Sequence, residues 1–255
     1  MSAQKMMGHT VDPTGNWLYR VGGLCALVIG IAYLITIALY ARVGAPPSGG
    51  EAWLKYLAGK TTLWWAILGF SVLTDLLYVP VAFALYLVLS GVARSAMQVA
   101  SACVGLFIVL DLAVTWSNYA SLLTLSGNYA AATTDAQRMA YVAAANYASA
   151  VLASRLETVY AIVILSFGIL LIGLVMLKGI FNKMTAAVSL VTGVLGIVSI
   201  AGSPVTIILN AVFATLWLLL VGYRLYRLGK PRFLGAVEKE GTRPRSPLRQ
   251  PGAEH

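Results

Sequence analysis

Six apolar stretches divide the chain, at about 20–41, 64–91, 97–124, 157–177, 184–202 and 205–225. A helix needs about 20 apolar residues to cross about 30 Å of hydrocarbon, and each stretch is near or above that length. Each must be helical, because lipid offers backbone groups no partner. Runs this long also exceed the strands of a membrane barrel. The pattern predicts an all-α, polytopic transmembrane helical bundle of six spans over 17–228. A polar segment at 1–16 precedes it and a disordered basic tail at 229–255 follows it.

Two polar intervals carry their own signals. "PPSGG" at 46–50 breaks the chain after the first span, and "EAWLKYL" follows with Trp53, Leu54 and Leu57 on one helical side. A short interfacial helix fits that pattern, since aromatic rings favour the headgroup zone. After "SGNYAAATTDAQ", Thr134 and Gln137 have capping-box spacing, which predicts an external helix over about 135–150. A helix running unbroken from 135 to 177 would measure about 64 Å, twice the membrane, so it is expected to bend, lie flat or stand outside.

Composition agrees with the pattern. Charged residues are 11% of the chain, against about 25% in soluble domains. The net charge of +9 invites a nucleic-acid reading, but the placement of the charges points to membrane topology instead. With six spans, one side holds Lys5, Arg20, Arg94, Lys178, Lys183 and the basic residues from Arg224 to Arg249; the other holds Arg42, Lys55, Lys60 and Arg138. Positive charge resists translocation, so both termini are expected in the cytoplasm. The start of the tail would then meet anionic lipid. The first span is too long for a signal-peptide core and is expected to remain in the protein. Cys25 and Cys103 lie within spans and read as packing residues rather than a disulfide.

The polar residues inside the spans are the candidate chemistry. Asp75 lies in "SVLTDLLYVP" and Asp111 in "GLFIVLDLAVTW", each remote in sequence from any other charge. Mid-membrane Asp costs about 2.5–3.5 kcal/mol. Counting along the helices puts both about 20–25 Å from the cytoplasmic edge, in one layer of the outer half. Thr115, Asn118 and Ser121 follow Asp111 at helical spacing, while Ser71 and Tyr78 share a side with Asp75. Pro80 is expected to kink that helix. Asn210 on the last span reaches a similar depth, with Trp116 and Tyr119 near the rim. These residues suggest a polar pocket that opens outward and in which two carboxyls can share a proton. The alternative is a structural network that fixes helix register.

Arg155 and Glu157 stand at the mouth of the fourth span. Two positions apart on a helix, they face different directions and make poor partners. Either Arg155 snorkels to headgroups while Glu157 faces water, or one of them points into the bundle.

Several chemistries are excluded. The only histidines are His9 and His255, both in the tails. That removes bis-histidine haem, histidine-rich di-iron sites and a Ser–His protease dyad. Neither aspartate sits in the Gly-x-Gly-Asp motif of intramembrane aspartyl proteases, and no P-loop or dinucleotide fingerprint occurs. No cofactor or metal is predicted.

The stretches "YRVGGLCALVIGIAYL", "LGFSVLTDLLYVPVAFALYLVL" and "FGILLIGLVMLKGIFNKMTAAVSLVTGVLGI" resemble a prokaryotic family of small six-helix integral membrane proteins, known as a domain of unknown function. The resemblance spans about 19–225. It implies a prokaryotic cytoplasmic membrane and a bundle of about six helices, and it implies no activity.

Three functions remain open. The bundle could bind a small molecule or proton around Asp75 and Asp111, as a transporter or sensor. It could be an accessory or scaffold subunit with a membrane-protein partner or a second copy. Gly22, Ala26 and Gly30 on the first span, and Ser189 and Gly193 on the fifth, form small-residue ladders that let helices approach closely. A lipid-modifying enzyme using the carboxyls as acid and base is the third.

Overall fold

The computed structural model describes residues 16–229. The polar segment before Asn16, the basic tail from Lys230 with its lipid contact, and both histidines lie outside the described residues. Within them every regular element is helical. Five helices are long and apolar enough to cross a membrane: Asn16–Val43, Thr61–Ala131, Arg155–Met176, Lys183–Ala201 and Pro204–Leu228.

The second of these has 71 residues and would measure about 106 Å if straight. It is not straight. Ala93 leaves helical geometry, with φ −153° and ψ 82°. Residues placed symmetrically about it meet: the Tyr78 and Phe107 rings lie 5.8 Å apart, and Trp64 stacks on Tyr119 at 5.3 Å. Along a straight helix Tyr78 and Phe107 would be about 43 Å apart. The chain therefore reverses at Ala93 into two antiparallel legs, which carry the apolar runs at 64–91 and 97–124.

The elements in order are α1 (Asn16–Val43), α2 (Gly50–Leu57), α3 (Thr61–Leu110, including the reversal), a π-helical segment (Asp111–Trp116), α4 (Ser117–Ala131), α5 (Asp135–Leu152), α6 (Arg155–Thr158), a second π segment (Val159–Val163), α7 (Ile164–Met176), α8 (Lys183–Val198) and α9 (Pro204–Leu228). Their ends follow local chemistry. The Thr134 side chain accepts from Gln137 N, and Gln137 reaches back to the Thr134 backbone, completing the capping box of α5. No unbroken helix runs from 135 to 177. It breaks after Leu152, and the Ser154 hydroxyl caps α6 by accepting from Glu157 N. Beyond α8, Gly202 takes a left-handed φ of 77°, and Pro204 opens α9, where a missing N–H costs nothing.

α1 packs against α9 and α3; α7 packs against α3 and α8; α8 packs against α9. The main core lies where these meet, around Ile29, Leu85, Leu89, Ile169, Trp217 and Val221. The small-residue ladders are filled inside the bundle. A Cβ on Gly22 would lie 2.5 Å from Ala84 Cβ, one on Gly30 2.7 Å from Leu219 Cδ2, and one on Gly193 2.6 Å from Leu170 Cβ. Gly173 receives Ser189 in the same way.

A second core caps one end, built from Trp53, Leu54, Leu57, Trp64, Leu122 and Ala145. Here α5 supplies the cap that α2 lacks. Gly49 N donates to Ser149 Oγ at 3.1 Å and Gly50 N to Asn146 Oδ1 at 2.8 Å. At the end of α1, Tyr56 Oη and Lys60 Nζ both donate to Val43 O at 2.9 Å, satisfying a carbonyl that the helix leaves free.

Candidate functional site

The reversal at Ala93 brings Asp75 on the first leg beside Asp111 on the second. Both are buried, 3% and 4% exposed. Trp116 joins them: its Nε1 lies 2.9 Å from Asp75 Oδ2 and 3.1 Å from Asp111 Oδ2. An indole has one N–H to give, so two carboxyl groups share one donor. Asp111 Oδ1 and Thr115 Oγ1 are buried without a hydrogen-bond partner. They are electrostatic neighbours, yet their geometry falls short of a hydrogen bond. Among the described residues the ion pairs are Lys55–Glu51 and Arg138–Asp135, so neither interior aspartate faces a cation. Two carboxyls this close and this dry repel one another when both are charged.

The local helix geometry sets this arrangement. Asp111 opens and Trp116 closes the first π segment. A π turn is wider than an α turn, and such bulges recur at functional sites. The second π segment, Val159–Val163, packs against the first.

A cavity of about 290 Å³ adjoins the pair. Tyr33, Tyr40, Ser71, Tyr78 and Trp116 line one side; Ser166, Thr192 and Asn210 line the other. The aspartates stand one side chain behind this wall. Tyr33 Oη and Tyr78 Oη lie 3.2 Å apart. Asn210 Nδ2 donates to Thr192 O at 2.9 Å, which holds the amide on the cavity wall.

The structure sorts the residues singled out from sequence. Asp75, Asp111 and Thr115 form the buried cluster, Tyr78 joins it to the cavity, and Asn210 lies on the cavity's other wall. Asn118 is not among them. Its Nδ2 donates to Val114 O at 2.7 Å, and it lines a separate groove between α4 and α5 with Ser121 and Thr124. The polar stripe from Asp111 to Ser121 thus divides: Asp111 and Thr115 are buried beside Asp75, while Asn118 and Ser121 line the groove. Arg155 is exposed and Glu157 half-buried, and they make no ion pair. Glu157 lies within electrostatic reach of Tyr40, Tyr119 and Asp111.

Trp116 is the residue whose role the sequence concealed. It reads as a rim aromatic, yet it is the hinge between both carboxyls. Tyr33, Tyr40, Ser166 and Thr192 also escaped notice, because isolated hydroxyls and rings in apolar spans carry no spacing signal. Among the described residues no group of three or more His, Cys, Asp or Glu is placed to hold a metal ion. Neither a protein-family model, nor a curated protein, nor a solved structure matches the chain.

Proposed function

We propose that the protein is a six-span integral membrane protein of a prokaryotic cytoplasmic membrane, with both termini inside, that binds a small molecule or proton beside Asp75 and Asp111 as a transporter or sensor. One observation carries the reading. A single indole N–H is shared by two buried carboxyl groups behind the wall of a cavity whose lining mixes aromatic rings, hydroxyls and one amide with isoleucine, leucine and alanine side chains. Buried ionisable groups in a membrane span are costly and mark ligand or proton sites. The reversal at Ala93 supports six crossings: α1, the two legs, the helix through α7, α8 and α9 then each cross once. The distribution of basic residues supports the orientation.

The accessory-subunit reading loses its main support, because the small-residue ladders are filled by the bundle's own helices. Asp75→Asn and Asp111→Asn test the proposal. Each is expected to change the pH dependence of thermal stability in lipid nanodiscs. Curves that superimpose on the wild type for both variants would sink it.

A further inference from the structure

We propose that the cavity's ligand is a small organic cation, an amine or quaternary ammonium compound, and that it competes with the proton held by the aspartates. The inference rests on the proposed function and names the ligand class for the same site.

Three features converge. First, four of the side chains that line the cavity are aromatic: Tyr33, Tyr40, Tyr78 and Trp116. Rings attract cations through their quadrupole, and more strongly when water is excluded. Second, the charge around it is of one sign. Asp75 and Asp111 lie behind Trp116, and Tyr33 lies within electrostatic reach of both. Glu157 on α6 is within reach of Tyr40 and Asp111. Tyr119 on α4 and Tyr56 on α2 are further titratable groups on this side. From α7, α8 and α9 only Ser166, Thr192 and Asn210 face the cavity with polar groups, and none of them titrates. Third, the buried charge lacks compensation. Asp111 Oδ1 and Thr115 Oγ1, neighbours behind the cavity wall, each lack a well-formed hydrogen bond. A buried anion needs a counter-charge, and no side chain supplies one. A proton or a bound cation would. The volume of about 290 Å³ is at the lower end for small-molecule sites, which limits the ligand to a single ring or a short alkylammonium.

The test uses the full chain in nanodiscs and one matched pair of probes. Benzyltrimethylammonium carries the charge; neopentylbenzene has the same shape and none. The expected result is saturable proton release into weakly buffered solution on adding the cation. Asp75→Asn and Asp111→Asn should abolish the release, and the cation should bind at least about tenfold more tightly than its neutral twin. Tyr33→Phe should keep the preference, since it keeps the ring, and Tyr33→Leu should reduce it. Thermal midpoints confirm that each variant is folded. If the aspartates respond to pH while the two probes bind alike, or neither binds, the cation inference is overturned and the proton site stands. If the aspartates do not respond to pH, both readings fall.

Discussion

Trp116 Nε1 lies 2.9 Å from Asp75 Oδ2, across 41 positions of sequence and one reversal of the chain. The same nitrogen lies 3.1 Å from Asp111 Oδ2 on its own leg. This contact ties the two legs together and leaves two carboxyls dependent on one donor. Trp116→Phe keeps the ring and removes the N–H. Losing a hydrogen bond to a buried carboxyl costs about 1–3 kcal/mol. The variant is expected to unfold at lower temperature, and combining it with Asp75→Ala, which removes the acceptor, should cost less than the two single changes together. Strict additivity of the two effects would show that the contact does not exist in solution.

The crossing of α1 and α9 depends on Gly23. A Cβ there would press on the backbone nitrogen of Tyr226, and backbone cannot swing aside. Gly23→Ala is expected to destabilise by about 1–3 kcal/mol. Gly69, also in a helix, has open space around it. Gly69→Ala should be neutral or stabilising by up to about 1 kcal/mol. Thermal unfolding of the two variants side by side checks the packing; equal midpoints would refute it.

The cap at one end is held through Asn146, which accepts from Gly50 N at 2.8 Å. Asn146→Ala leaves the first turn of α2 without that acceptor, a loss of about 1 kcal/mol. Hydrogen exchange over 50–57 should quicken while the core around Ile29 and Val221 keeps its protection. Unchanged exchange at α2 would mean that the apolar contacts of Trp53 and Leu57 hold it alone.

Topology is open to a chemical test. In a background with Cys25→Ala and Cys103→Ala, four exposed positions are replaced singly: Ala58→Cys, Thr133→Cys, Arg94→Cys and Lys178→Cys. An impermeant maleimide applied to intact spheroplasts should label the first two, and the last two only after permeabilisation. Labelling of Arg94→Cys from outside would contradict the six-span reading.

How far the sequence reaches can be judged residue by residue. Asp75 and Asp111 stood out because they interrupt long charge-free runs, and depth counting put them in one layer. The Thr134–Gln137 spacing announced the start of α5, because capping chemistry is local. The sharing of Trp116 was not legible. It depends on the rotation of one leg against the other, which packing sets. The π segment at Asp111–Trp116 was hidden for the same reason. A widened turn leaves no mark in composition, yet it shifts the phase of every residue after it. Tyr33 and Asn210 meet across a cavity only after α1 and α9 are placed, and no local pattern places them.

The most direct measurement is pH-difference infrared spectroscopy of the protein in lipid. A carboxylic acid that gains or loses its proton shows a carbonyl band distinct from that of the carboxylate. The wild type is expected to show such a band, shifted or lost in both Asp75→Asn and Asp111→Asn and displaced in Trp116→Phe. A wild-type difference spectrum that neither aspartate variant alters would contradict the proposal that these two residues share a proton behind the wall of the cavity.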